Sequence, residues 1–354
     1  MSFDADQTIQ QVTESIGAML LLHSSCQALI EVAIAPSNSP WYPVLDQELG
    51  TAEDLVVGWR QNGYLYFQQA ILIEIGTCGQ AFLGARSNID SLFKELSANF
   101  TPALQNQIVS AISALEAPVN GMINELTAYG QKLAVFEQAL EIPNAQMNTS
   151  IAEIQAQEAE IQEQITAINA QIAALQQQVA TDRVAISKAR AARDRGIVET
   201  IFGILLAPFT GGVSLILAGI GVGTIAEAEE QVSALETSIS GFQSTIVGDQ
   251  TTLTTDQQQV ATLQGLTMSM ALALGDVKSI DSALDALRTS WGVLLSETLS
   301  AASDVQNAKT ATDAIVGQVW FDAACNSWQS IVNFVQQMAG NQAPVPTQVT
   351  IGLP

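Results

Sequence analysis

The 354-residue sequence has few basic residues, one histidine and three cysteines, and these shortages exclude several classes of protein. Twelve Lys and Arg against 35 Asp and Glu give a formal net charge of −23. A nucleic-acid-binding protein needs a basic surface, which so acidic a chain cannot build. The four residues that could form a Cys/His zinc site or support histidine-based catalysis are His23, Cys26, Cys78 and Cys325. Cys78 and Cys325 lie far from His23 and Cys26 in the sequence, without the spacing typical of zinc ligands, and a single histidine leaves little scope for histidine-based catalysis.

These scarce residues are predicted to be structural. We expect His23 to lie in the first helix as a buried structural residue, and the three cysteines to behave as small apolar core residues. Because three cysteines cannot form a complete disulfide framework, stability must come from packing. The stretch Gly219–Gly223 resembles a nucleotide-binding fingerprint only superficially, since it lies in an apolar run without a strand before it. The sequence therefore predicts a protein that is not an enzyme and has no cofactor, no metal and no catalytic residues.

Charge is also scarce overall, while apolar residues are abundant but unevenly placed. Charged residues make up 13% of the chain, against about 25% in a typical soluble protein. Apolar residues make up 48%, and the mean hydropathy is +0.24. The N-terminus has no basic region and no early apolar run, so no signal peptide is recognisable. The lack of a signal peptide does not establish a cytoplasmic location, since some proteins leave cells by other routes.

Proline and heptad spacing predict long helices. Between Pro143 and Pro344 the only proline is Pro208, which leaves two long stretches that can be helical. Apolar residues recur at alternating steps of three and four over 151–179 and again over 232–263, which is typical of a coiled coil. The remaining segments, 4–35, 46–98, 102–140 and 276–338, also have helical patterns, and no segment shows a convincing strand pattern.

These patterns predict an all-α protein, an elongated antiparallel bundle of about five long helices with an apolar head at one end. Residues 1–182 and 237–354 would form the bundle, or tail. Residues 183–236 would form the head with its flanking coiled-coil ends, built as a hairpin or a β-tongue. Aromatic residues cluster towards the two ends of the chain, so we expect the N- and C-terminal helices to share one thick core.

The head contains the most informative feature, a run of 27 residues without a charge at 200–226. Its middle has turn-forming residues, so a hairpin with arms Ile197–Ala207 and Val213–Ala226 and a tip at Pro208–Gly212 is expected. As helices the arms would be only ~16 and ~21 Å long, against ~30 Å of hydrocarbon. The predicted membrane-inserting residues are Ile197, Ile201, Phe202, Ile204, Leu205, Leu206, Pro208, Phe209, Val213, Leu215, Ile216, Leu217, Ile220, Val222 and Ile225. Glycines that would serve as hinges or tip are Gly196, Gly203, Gly211, Gly212, Gly219, Gly221 and Gly223.

Five of the twelve basic residues precede this run, and acidic residues follow it. Two interpretations of the basic residues stand side by side. They could pair with the acidic residues to set an antiparallel register, or they could form a collar that contacts lipid phosphates, at about 1 kcal/mol per residue. The residues are Arg183, Lys188, Arg190, Arg193 and Arg195.

The combination of a long helical bundle, an acidic Gln- and Ala-rich body and an uncharged hairpin between two heptad helices resembles the cytolysin A-type α-helical pore-forming toxins. The resemblance is strongest to components of haemolysin BL, non-haemolytic enterotoxin and the tripartite toxins of Gram-negative bacteria, and in particular to their pore-forming B component. It implies a secreted, soluble monomer whose head swings out on target membrane lipids and becomes transmembrane helix as the subunits form a lytic homo-oligomer. Because both arms are apolar on every side, a partner component with an amphipathic membrane segment would have to line the pore.

Two other interpretations of the apolar run stay open. It could be a buried core hairpin of a non-catalytic coiled-coil scaffold, or the anchor of a resident membrane protein. A resident membrane protein needs detergent throughout purification, whereas a toxin component purifies from water and binds liposomes afterwards.

Overall fold

The computed structural model describes residues 3–31, 40–64, 66–157, 203–209, 212–218, 255–339 and 347–348. Most of these residues are helical, and the strands are short. The helices in these ranges are α1 (Ala5–Glu31), α2 (Tyr42–Trp59), α3 (Ile73–Ala98), α4 (Pro102–Ser113), α5 (Glu116–Gln157), α6 (Thr255–Asn307) and α7 (Ala311–Ala339). The strands are β1 (Gly203–Phe209), β2 (Gly212–Ala218) and β3 (Thr347–Gln348).

Side-chain caps mark where several helices begin. The Asp4 carboxylate accepts hydrogen bonds from the backbone N–H groups of Asp6 and Gln7, at 2.8 and 3.2 Å, ahead of α1. At α4, the Thr101 hydroxyl accepts from the Leu104 N–H at 3.4 Å, and Pro102 occupies the first turn. Such caps satisfy N–H groups that have no partner within the helix. They explain why the helices begin where polar residues precede an apolar pattern.

The prediction for 46–98 correctly gave a helical segment but did not locate its irregularities. Between α2 and α3 the backbone forms two π-helical turns, Arg60–Tyr64 and Phe67–Leu72. Gly63 lies in the first of them, and a Cβ atom there would overlap the ring of Trp59. A residue larger than glycine therefore has no room at this turn, where the chain passes close to its own side chains.

Pro143 was expected to interrupt the helical pattern, yet α5 continues through it from Glu116 to Gln157. Proline in a helix interior removes one backbone hydrogen bond and usually kinks the helix. Here Pro143 lies on the buried face of α5, between Leu140 and Met147. The packing of that face offsets the lost bond, and a single proline is therefore not a helix end.

The chain divides into two compact units. Unit 1 comprises Met1–Thr13, Leu65–Gln131 and Asp281–Gln342, and unit 2 comprises Glu14–Tyr64, Lys132–Ile280 and Ala343–Pro354.

An aromatic cluster forms the core of unit 1. The indole rings of Trp291 and Trp328 stack with centroids 5.2 Å apart, and the Phe3 ring lies 5.5 Å from each. Phe82, from α3, packs 5.6 Å from Trp328. Residues from both ends of the chain thus share one core, which confirms the inference drawn from the placement of the aromatic residues. Gly79 lets α3 pack closely on α7, because a Cβ atom there would overlap Trp328 and its neighbour Val332.

Unit 2 combines apolar packing with buried polar residues. Trp59 of α2 and Phe136 of α5 stack with centroids 4.5 Å apart. The Ser25 hydroxyl of α1 donates a 2.6 Å hydrogen bond to the Asp276 carboxylate of α6, and both residues are buried. Cys26, beside Ser25 in the chain, is fully buried. A buried carboxylate requires such a donor, since an unpaired one is costly away from water.

Candidate functional site

The apolar run folds at its centre into an antiparallel β-hairpin. Gly203 of β1 pairs with Ala218 of β2, and the register continues to the pair Phe209–Gly212. Leu206 lies opposite Leu215 at the middle of the hairpin. Each strand has seven residues, which corresponds to a length of about 24 Å. The sequence left open whether the head is a helical hairpin or a β-tongue, and the structure shows two strands.

A third strand from the far end of the sequence joins the hairpin. Thr347 and Gln348 of β3 pair antiparallel with Leu217 and Ile216 of β2. The strand order β1-β2-β3 leaves β1 at one edge of this sheet. Pro208 lies within β1, opposite Val213, and not in the turn as predicted. An edge strand tolerates proline because one side of its backbone has no ladder hydrogen bond to lose.

No segment of the sequence has a convincing strand pattern, and yet three segments of the described residues are strands. In β1 and β2 the uncharged sequence lacks the polar–apolar alternation by which a half-buried strand is recognised. In β3 only two residues pair, and they follow Pro344 and Pro346, which are typical of irregular structure. The signal available there was the β-branched composition of Thr347–Ile351, which favours an extended chain.

Eleven of the predicted head residues lie in the hairpin, which brings the two arms side by side. They are Gly203, Ile204, Leu205, Leu206, Pro208, Phe209, Gly212, Val213, Leu215, Ile216 and Leu217. The other predicted inserting, hinge and basic residues lie outside the described residues. These are Arg183, Lys188, Arg190, Arg193, Arg195, Gly196, Ile197, Ile201, Phe202, Gly211, Gly219, Ile220, Gly221, Val222, Gly223 and Ile225. The roles of both groups of residues stay predictions.

The residues considered for catalysis are buried in the helical units. His23 is 8% exposed, and its Nε2 atom lies 3.4 Å from Nη2 of Arg60, which places a guanidinium donor against a neutral ring. Burial, reinforced by the Arg60 charge, lowers the pKa of His23 to about 4. Burial raises the pKa of the Cys26 and Cys78 thiols. His23 is therefore uncharged and both thiols are protonated at neutral pH, as expected of structural residues and not of an activated nucleophile.

In the described part of the chain, no helix is both long enough and apolar enough to cross a bilayer.

Comparison with known proteins places this fold among bacterial toxin components. No protein-family model and no curated protein sequence matches the chain. Among solved structures it is similar to soluble SmhA of the tripartite α-pore-forming toxin Smh from Serratia marcescens, with a TM-score of 0.67 and 18% identity over 96% of this chain and 95% of that one. It is also similar to the cytotoxin MakB from Vibrio cholerae, with a TM-score of 0.70 and 15% identity over 97% and 94% of the two chains.

A further similarity is to soluble AhlB of the tripartite α-pore-forming toxin AHL from Aeromonas hydrophila. Its TM-score is 0.68, at 13% identity over 98% of this chain and 96% of that one. The matched structures include both SmhA and SmhB, so assignment to a B component stays a prediction. Along nearly its whole length, this chain has the fold of the components of tripartite α-pore-forming toxins.

Proposed function

We propose that the protein is a non-catalytic component of a multi-part α-pore-forming toxin, and that it enters target membranes through the β1–β2 hairpin. The observation that carries the proposal is the position of the two strands inside the 27-residue uncharged run of a chain with a toxin-component fold. An uncharged segment of this length, rich in Leu, Ile and Val, favours transfer into hydrocarbon by about 0.3 to 0.6 kcal/mol for each large apolar residue.

Insertion requires the hairpin to change its secondary structure. In water, the outer edge of β1 can bond to solvent. In hydrocarbon, each unpaired backbone N–H or C=O group costs several kcal/mol, so an open sheet does not enter lipid. A helix satisfies its backbone groups internally. We therefore expect the arms Ile197–Ala207 and Val213–Ala226 to become helical as they insert, reaching about one leaflet unless flanking residues lengthen them.

A partner component is needed for conduction. Apart from Glu199, near the start of the first arm, neither arm carries a charge, and a ring of them would line the lumen mainly with apolar side chains. We propose that copies of this chain assemble in the membrane with a second component whose amphipathic segment supplies the polar lining. A stable, high conductance recorded from this chain alone in planar bilayers would refute that division of labour.

A single charge in the hairpin tests the proposal. Leu206→Asp replaces a residue in the middle of β1, opposite Leu215, with one whose transfer into a membrane interior costs about 3 to 4 kcal/mol more. We expect red-cell lysis, measured with the partner components present, to fall by about 100-fold or more.

The matched control is Val319→Asp, which makes a comparable change at a 62% exposed position on α7. We expect this variant to lyse cells as the parent does. Equal lysis by Leu206→Asp and the parent would show that the hairpin does not enter lipid. Purification tests the remaining alternatives, because a resident membrane protein would require detergent from the first step.

A further inference from the structure

Helix α5 has an exposed stripe of uncharged residues on the side opposite its buried face. We call this stripe the outer seam, and all of it belongs to unit 2. Its two large members, Val135 and Ile142, are 67% and 61% exposed, among the most exposed large hydrophobic residues of the described part of the chain. The outer seam consists of Val135, Gln138, Ile142, Ala145, Thr149 and Ala152.

The outer seam has the spacing of a helix–helix contact. Its members follow each other at alternating steps of three and four residues, which is the a/d pattern of a coiled coil. The buried face of α5 has the same spacing, at Leu133, Phe136, Leu140 and Met147. None of the six outer-seam residues is charged, although the chain has a net charge of −23. A helix with two such stripes can pack against one helix on each side.

We infer that the outer seam binds the outer seam of a second copy of this chain, with the two α5 helices antiparallel across a two-fold axis. The order of residues along the seam supports this occupant. In the antiparallel register, Val135 of one copy faces Ala152 of the other, and Ile142 faces Ala145 of the other. Each large side chain thus meets a small one, and each pair occurs twice.

Two of the three charged residues that border the outer seam complement each other in the same register, and the third, Glu141, lies near Asn148 of the other copy. Lys132 and Glu153 are both exposed and border the same side of the seam, near its two ends. Antiparallel pairing brings Lys132 of each copy towards Glu153 of the other. Two copies of a chain with a net charge of −23 repel each other, so a contact surface with no internal charge and two opposite-charge pairs at its ends favours self-association.

The size of the surface determines the kind of complex. From Lys132 to Glu153 the helix extends about 30 Å, and a helix face about 10 Å wide buries roughly 300 Å² per copy. A stable dimer needs about 800 Å² per partner, so we expect a weak, reversible pair. A two-fold contact uses the same patch on both copies and closes on itself, so it cannot build a ring. The pair is therefore a form of the chain in water and lies beyond the proposed pore assembly.

Cysteine cross-linking tests both the contact and its direction. The native Cys26, Cys78 and Cys325 are all buried, so an added surface cysteine is the reactive thiol for a short bis-maleimide reagent. In the antiparallel pair, Val135→Cys of one copy lies beside Ala152→Cys of the other. Two Val135→Cys positions are about 26 Å apart along the helix axis. We expect a covalent dimer when the two variants are mixed and none when either is treated alone.

The control for random collision is Val319→Cys, an equally exposed valine on α7. Cross-linking of Val135→Cys with itself above that background would indicate a parallel pair and overturn the inference. Absence of a covalent dimer from the mixture would overturn it as well. Lys132→Glu and Glu153→Lys should each reduce the yield of the mixed cross-link, by about fivefold, and the combined charge reversal should restore it. Failure of restoration would contradict the register.

Discussion

Acidification should destabilise unit 2 through His23, the single histidine of the chain. In the folded protein the pKa of His23 is about 4, because the ring is buried and lies beside the Arg60 guanidinium. In the unfolded chain a histidine has a pKa of about 6.5. Between these values the unfolded chain binds more protons than the folded one, so stability is fully present above pH ~6.5 and falls as the pH is lowered towards 4.

The expected loss can be worked out from the two pKa values. At pH 5 the unfolded histidine is almost fully protonated and the folded one is mostly neutral, which corresponds to about 2 kcal/mol; the limit below pH 4 is about 3 kcal/mol. Protonation also removes the Nε2 lone pair that faces Arg60 and places two positive charges 3.4 Å apart. The structure offers a clean comparison, because His23→Gln removes the titration and keeps a polar side chain.

The assay is denaturant unfolding followed by far-UV circular dichroism at pH 7.5, 6 and 5, for the parent and for His23→Gln. Burial also raises the pKa values of Glu48 and Glu53, which would stabilise the fold as the pH falls, but both variants share this contribution. The parent should therefore lose about 2 kcal/mol more than the variant between pH 7.5 and 5. Parallel pH profiles for the two proteins would refute the reasoning.

Three further changes test the packing and the sheet. Gly79→Val should destabilise unit 1 by roughly 1 to 3 kcal/mol, because the valine side chain would overlap Trp328 and Val332. Thermal unfolding measures this loss, and the control is Gly84→Val, at a position with open space around it. Ser25→Ala should cost about 1 to 3 kcal/mol in urea unfolding, since it removes the donor to the buried Asp276 carboxylate, and an unchanged midpoint would contradict that role. Truncation after Ala343 removes β3, one of the two strands that pair with β2, so limited proteolysis within 203–218 should become faster. Lysis should also begin earlier if the proposed function is correct. Protease resistance equal to that of the parent would show that β3 does not secure the hairpin.

The sequence predicted the helices well because their evidence is local and repeated. Ile9, Val12 and Ile16 place the apolar face of α1, and Trp291 and Trp328 indicated a shared aromatic core at the two ends of the chain. The break between α6 and α7 was missed, although the Asp313 carboxylate accepts from the N–H groups of Lys309 and Thr310 there, which is a recognisable cap.

The secondary structure of the candidate site was less predictable, for a physical reason. Periodicity reports the difference between a buried and a solvated face, and the run at 200–226 has no polar face to compare. The turn residues Pro208–Gly212 therefore predicted a hairpin but did not distinguish strands from helices. The pairing of Ile216 with Gln348 depends on a contact between distant parts of the sequence. The π-helical turns around Gly63 likewise depend on the space that Trp59 leaves, which no short motif encodes.

Both extremities of the polypeptide make contacts that matter for anyone who attaches a tag to it. The Phe3 ring contributes to the tryptophan cluster of unit 1, while Gln348, six residues before Pro354, is hydrogen-bonded into the sheet of the apolar hairpin. An affinity handle fused to residue 1 or to residue 354 would therefore be attached within about 20 Å of chain from one of these contacts. A fluorophore or epitope inserted at the exposed Lys309–Thr310 bend between α6 and α7 would leave both of these contacts unaltered.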